Sequence, residues 1–185
     1  MLKRSFIVGL FCLAGTGAFA FAAPQNLVSN TGVYYDQDIH GNYILSDPTS
    51  APSQRWAVFY GPQPGKKTAY IEVVHESRAY EGDFEKQTGA IEKKTVTIGT
   101  VTSYQNGIGK VKVGYIRTYV YDYNRAVLSD TRAKAKEAQT YTLQVPDTEH
   151  FSLTLPDGTT QRYVYEAGDI GGYDDDMKAY LKRKR

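Results

Sequence analysis

The chain has 185 residues, of which 41% are hydrophobic and 23% charged, and its formal net charge is +2. The length suits one domain or at most two small ones, and the composition excludes a disordered tail and a bundle of membrane helices. The 17 glycines show no Gly-X-Y period, which excludes collagen, and the absence of longer repeats and heptads argues against solenoids and coiled coils.

The N-terminal segment predicts a secretory signal peptide over residues 1–22. Lys3 and Arg4 precede a glycine-diluted apolar run, and two small-x-small cleavage sites end at Ala20 and Ala22. We therefore expect cleavage near one of these alanines and a secreted or periplasmic location, with no membrane span afterwards. The alternative is an uncleaved anchor, because the apolar run reaches the short end of a membrane span.

Removal of this segment changes the chemistry left in residues 23–185, which we treat as a single β-rich domain. Without Lys3 and Arg4, 20 basic residues balance 20 acidic ones, so we expect no broad positive field for nucleic acid. Cys12 is the only cysteine. Its loss excludes a thiol nucleophile, a disulfide and a cysteine zinc site from the remaining chain.

The remaining chain has the composition of β-structure, because its 16 tyrosines and many Val, Ile and Thr suit a pleated, half-buried surface. Turn residues separate short runs of these residues, and the short connections favour antiparallel pairing. A charged stretch over 76–93 is predicted to be a long loop or a frayed hairpin. The predicted strands cover 33–36, 42–46, 56–60, 68–75, 94–103, 109–123, 140–145, 151–155 and 161–166.

Two segments are predicted to be helical. Residues 129–138 begin with possible caps at Ser129 and Asp130 and continue with Ala and Lys. Residues 173–184 begin with three aspartates and end with basic residues, which complements the helix dipole, and carry one apolar stripe. We therefore expect a mainly β fold, a single antiparallel β-sandwich or small β-barrel of about eight strands, with a C-terminal helix packed on it.

The tyrosine-rich strand over 109–123 is the most unusual feature of the sequence. Side chains alternate between the two faces of a strand, so the odd-numbered residues from Val111 to Tyr123 share one face. If this face points inward, it lines a core or barrel, whereas outward it forms a recognition strip about 26 Å long. Tyr and Arg are frequent binding hot spots. The predicted ligand- or partner-binding residues are Tyr115, Arg117, Tyr119, Tyr121 and Tyr123.

Other motifs are weaker. Residues 36–47 loosely match a calcium loop, but His40 is a poor ligand at its position and a hairpin turn explains the segment equally well. His75 lies between Glu72 and Glu76 and could be a general base oriented by a carboxylate, or a surface histidine at a strand end. No nucleophile elbow, phosphate loop or dinucleotide fingerprint is present. We therefore assign no catalytic residue, no metal and no cofactor.

These observations favour an exported, non-catalytic binding protein that presents a tyrosine-rich β-surface to a protein or an envelope glycan. The first alternative is a small β-barrel carrier that holds a small molecule against inward tyrosines. The second is a hydrolase that uses carboxylates or His75. A tyrosine-rich strand at a sheet edge could also pair with a second copy, so the sequence leaves the oligomeric state open.

Overall fold

The computed structural model describes residues 32–38, 53–62, 68–78, 82–83, 85–133, 139–168 and 175–183. These residues form nine strands and one helix. The elements are β1 Gly32–Asp36, β2 Ser53–Tyr60, β3 Tyr70–Arg78, β4 Glu92–Gln105, β5 Ile108–Tyr121, β6 Val127–Ala133, β7 Thr140–Gln144, β8 His150–Thr154, β9 Thr160–Ala167 and α1 Asp175–Lys182.

Eight of the strands close an antiparallel barrel, and β6 is an additional strand on its side. Neighbouring strands pair in the order β4-β3-β2-β1-β9-β8-β7-β5, and the pairing of β4 with β5 closes the ring. Residues 108–112 of β5 pair with β7, whereas residues 116–121 pair with β6. The prediction of a mainly β fold of about eight strands with a C-terminal helix is confirmed, and the architecture is the barrel.

The predicted helix over 129–138 is wrong where the structure describes it, because residues 129–133 belong to β6. There Thr131 lies opposite Thr118 of β5. Pairing with a long neighbouring strand overrides the weak helix preference of this segment. Residues 134–138 and the predicted strand over 42–46 lie outside the described residues. Between β3 and β4, Asp83 and Thr88 form an antiparallel bridge, as a frayed hairpin would.

Aromatic and aliphatic side chains fill the barrel interior. Tyr34 and Phe151 meet edge to face with ring centroids 4.8 Å apart, and Phe151 stacks on Tyr163 at 4.7 Å. Burial of each large side chain contributes about 1.5–3 kcal/mol. Seven barrel strands contribute buried side chains to this cluster, and Val101 and Tyr104 of β4 pack against it. Its other members include Phe59, Ile71, Val111, Leu143 and Leu153.

A second apolar cluster lies on the outer face of strands β1 to β5, where α1 covers it. Met177 and Tyr180 of the helix are buried, and the Tyr180 hydroxyl is 3.0 Å from that of Thr100 on β4. The predicted helical stripe therefore packs on the β-domain as expected. The sheet side of this cluster includes Trp56, Val58, Val74, Val96, Ile98 and Tyr115.

A bulge at Gly114 divides β5 into two parts that face opposite ways. Val113 lies opposite Gly99 and Tyr115 lies opposite Ile98, so Gly114 is the extra residue. Neighbouring residues of β4 point to opposite faces, and the bulge therefore reverses the alternation along β5. Val111 belongs to the interior cluster and Tyr115 to the outer one. The prediction of one continuous face from Val111 onward is therefore wrong.

Candidate functional site

The structure places the predicted binding residues beyond the bulge, four of them in one row on the outer side of the barrel and the fifth in the turn that follows. Tyr115, Arg117, Tyr119 and Tyr121 belong to the second part of β5, and Tyr123 lies in the turn that leads to β6. We call these five residues the tyrosine row. The row begins beneath α1, where Tyr115 is 5% exposed, and runs toward the β5–β6 turn, where its members are half-buried.

Asp176 of α1 is the acceptor that holds the first part of the row. The hydroxyls of Tyr115 and Tyr119 each donate a hydrogen bond of 2.9 Å to its Oδ1 atom. Nη1 of Arg117 donates to the same oxygen at 3.2 Å. The Asp176 side chain is only 13% exposed, so it binds these donors largely shielded from water. Sequence reasoning explained the helix aspartates by the dipole and missed this contact.

Arg117 is bound within the protein by a second carboxylate. Its Nε and Nη2 atoms donate to the two oxygens of Asp130 on β6 at 2.7 and 2.6 Å. This bidentate hydrogen bond raises the pKa of Arg117 and lowers that of Asp130. The guanidinium also lies 4.5 Å from the centroid of the Tyr119 ring. Arg117 therefore links β5, β6 and α1.

Two tyrosines beyond Arg117, Tyr119 and Tyr121, stack on each other along the strand. The rings of Tyr119 and Tyr121 are 6.0 Å apart at an interplanar angle of 18°. Burial raises the pKa of both phenols, and the hydrogen bond to Asp176 raises that of Tyr119 further, so both stay protonated at neutral pH. Beside Tyr121, Val127 and Leu128 of β6 are 55% and 54% exposed. This end of the row is therefore an aromatic and apolar surface.

Ser53 of β2 and His75 of β3 form a polar pair at one end of the barrel. The Ser53 hydroxyl is hydrogen-bonded to Nε2 of His75, and burial together with the nearby Arg55 lowers the pKa of this histidine. Because side chains alternate along β3, His75 faces away from Glu72 and Glu76. The alternative in which Glu72 or Glu76 orients His75 as a general base therefore does not fit this strand.

The Ser53–His75 pair does not extend to a catalytic triad within the described part of the chain. A triad needs a carboxylate that accepts a hydrogen bond from the second histidine nitrogen. Asp36 is fully buried nearby, but its oxygens accept from Arg55 at 2.9 Å and from the backbone nitrogen of Asp38 at 2.8 Å. Asp36 is also the first residue of the possible calcium loop, and these two hydrogen bonds occupy its carboxylate there as well. Across the described residues, no group of three or more potential ligands could hold a metal ion.

A depression of about 590 Å³ lies near the β4–β5 turn. Phe151 and Tyr163 of the interior cluster line it, together with Gln144 and Ser152. The depression therefore lies at one end of the barrel, where it adjoins the interior cluster. A small-molecule carrier would hold its ligand in the interior, where Phe151 and its neighbours pack instead.

No protein-family model, no curated protein and no solved structure matches the chain. None of the helical structure in the described ranges is long and apolar enough to cross a membrane.

Proposed function

We propose that the protein is an exported, non-catalytic binding protein. It contacts a protein partner through the end of the tyrosine row that lies at the β5–β6 turn. The contact residues are Tyr121 and Tyr123, with Val127 and Leu128 beside them. One observation carries the proposal: two exposed large apolar side chains adjoin a row of tyrosines fixed by buried hydrogen bonds. Such a patch on a folded surface is typical of a binding site.

The fixed part of the row supports this function because it lowers the cost of binding. Ordering a side chain at an interface costs about 0.5–1.5 kcal/mol. Tyr119 is already held between Arg117 and Tyr121, and its hydroxyl binds Asp176. It therefore supports the Tyr121 ring in one position before a partner arrives.

The ring contacts favour a protein over a glycan. A sugar stacks on the open face of an aromatic ring, but Arg117 and Tyr121 lie against the Tyr119 ring. Val127 and Leu128 add apolar area that a polar glycan would not cover well, whereas protein interfaces have such groups at their centre. An envelope glycan is therefore the competing outcome of the test.

The two other functions have less support. The interior of the barrel is packed by its own aromatic side chains, which disfavours a carrier. The Ser53–His75 pair has no carboxylate partner among the residues described, which disfavours a hydrolase of the serine type.

Photo-crosslinking in cells that make the protein tests the proposal. A benzophenone amino acid replaces Tyr121 in one variant and Tyr165 in a matched control, since Tyr165 is 42% exposed but lies on β9. We expect an adduct of defined protein mass from position 121 alone. Equal adducts from both positions, or none from position 121, would contradict the proposal. An adduct that resists proteases and is digested by glycan hydrolases would replace the protein partner with a glycan.

The crosslinked protein, once purified, provides the second measurement. Leu128→Asp should weaken its binding at least about tenfold, because a charge replaces an apolar contact. Lys112→Asp is the control, because Lys112 is also exposed but lies on the other side of the bulge. Equal affinity of the wild type and Leu128→Asp would remove the apolar patch from the binding site.

A further inference from the structure

Among the strands that the structure describes, β6 ends the sheet with an exposed edge. It pairs with β5 along one side and is the terminal strand in the sheet order. All seven of its residues are exposed. A strand in this position presents backbone N–H and C=O groups along its outer edge, and these can pair with another strand.

Most of this edge is regular, which pairing with another strand requires. A bulge at Leu128 affects one end, whereas residues 129–133 pair one to one with residues 116–120 of β5. The strand contains no proline and no lysine, the residues that commonly protect edges. Its only charged side chains are Asp130 and Arg132, and these decide which strand fits.

The two charges are self-complementary in one arrangement. Asp130 lies opposite Tyr119 and Arg132 lies opposite Arg117, so both charges are on the outer face. In an antiparallel pair of two β6 strands centred on Thr131, each Asp130 faces the partner's Arg132. Asp130 already binds Arg117, but a carboxylate offers about four acceptor positions and can accept from a second guanidinium.

The neighbouring registers are unfavourable. Centring the pair on Asp130 would place two carboxylates directly opposite each other, and centring it on Arg132 would do the same with two guanidinium groups. On the opposite face, the Thr131 register brings together two threonines, and Ser129 faces the partner's Ala133. These side chains are small enough to avoid a clash.

We propose that β6 pairs with β6 of a second copy, antiparallel and centred on Thr131, so that two barrels form a homodimer through one continuous sheet. The two tyrosine rows then lie on the same surface, separated by three strand spacings, or about 14 Å. This dimer does not depend on the proposed partner, but it would let one assembly bind two copies of that partner and gain in avidity.

A single-cysteine experiment tests the register directly. In a Cys12→Ser background the chain has no natural thiol. Thr131→Cys places two sulfurs across the two-fold axis, where opposite Cα atoms are about 4.5–5.5 Å apart and suit a disulfide. Ser129→Cys is the control, because it has the same strand and face, but the two copies lie about 13 Å apart.

We expect Thr131→Cys to form a disulfide-linked dimer at least about tenfold faster than Ser129→Cys under mild oxidation. Equal rates would indicate random collisions, and a lack of crosslinking at position 131 would exclude this register. Either result overturns the proposal.

Sedimentation velocity over a hundredfold range of concentration gives an independent test. The wild type should shift from monomer toward dimer as its concentration rises. Arg132→Asp should remain monomeric, because it places like charges across the interface, whereas Lys112→Asp makes the same charge change away from β6 and should dimerise normally. A wild type that stays monomeric throughout, or an Arg132→Asp variant that dimerises as the wild type does, contradicts the homodimer.

Discussion

Replacement of Asp176 by Ala tests whether α1 is held on the barrel by the tyrosine row. The carboxylate accepts from Tyr115, Tyr119 and Arg117 at 2.9 to 3.2 Å, and its side chain is 13% exposed. Alanine removes the acceptor and leaves two phenols and one guanidinium to find water beneath the helix. Arg117 keeps its bidentate contact with Asp130, so the variant leaves no isolated buried charge.

The expected loss follows from these contacts. A hydrogen bond to a charged group contributes about 1.5–3 kcal/mol, and an unsatisfied buried donor costs about 1–3 kcal/mol. Three donors share one carboxylate and each can recover part of its hydration. We therefore expect the free energy of unfolding to fall by about 3 kcal/mol, which in a domain of this size lowers Tm by about 6–12 °C.

Asp175→Ala is the matched control, because it removes the same group from the adjacent residue. The Asp175 side chain is 89% exposed and is 3.9 Å from Lys178. An exposed pair of this kind contributes little, so the control should remain within about 0.5 kcal/mol of the wild type. Urea unfolding followed by fluorescence and by circular dichroism measures both variants.

A second readout separates the hydrogen bonds from general helix stability. Burial and the bond to Asp176 raise the pKa of Tyr119, so Asp176→Ala should move part of the alkaline tyrosine titration to lower pH. Equal stabilities of Asp176→Ala and Asp175→Ala, with unchanged titrations, would refute the role assigned to Asp176.

Three further predictions concern other parts of the chain. Gly114→Ala should lower the free energy of unfolding by about 1–3 kcal/mol, measured in urea, because its Cβ would lie 2.8 Å from the hydroxyl of Tyr180, which is buried on α1. An unchanged midpoint of urea unfolding would contradict this. Burial and a nearby guanidinium lower the pKa of His75 from 6.5 in the folded state, so its contribution to stability should be present above pH 6.5 and fall as the pH drops toward the folded value. The free energy of unfolding, measured across this pH window, should lose this pH dependence in His75→Gln and keep it in His150→Gln. An unchanged pH dependence in both variants would contradict the prediction. Mass spectrometry of the exported protein should find a chain that begins directly after Ala20 or Ala22, and a chain that still begins at the first residue would contradict signal cleavage.

The β-structure was predictable because its cause is local. Runs such as residues 56–60 and 151–155 combine β-branched and aromatic residues, and turn residues separate the runs. The helix at residues 175–182 was predictable from its charge order and apolar stripe. The helix prediction failed over residues 129–133 because β6 is stabilised by its pairing with β5, and local propensity does not contain that contact.

The site was less predictable because it depends on distant contacts. The reversal of facing at Gly114 follows from the register between β5 and β4, and alternation within one strand cannot reveal it. The contact between Asp176 and Tyr115 joins residues 61 positions apart, and it exists because α1 docks on the outer face. The sequence singled out the residues of the row only as candidates, and nothing in it indicated Asp176 as the group that binds three of them.

The position of α1 in the chain has a consequence for biogenesis. The helix follows every barrel strand in chain order, so synthesis delivers all of β5 before Asp176 is available. Until then Tyr115 lies on an uncovered apolar face, which is the kind of surface that chaperones and proteases recognise. A chain cut before residue 175 keeps all nine described strands but retains that exposed face. The outer cluster is therefore covered in chains that include α1 and exposed in chains that end before it.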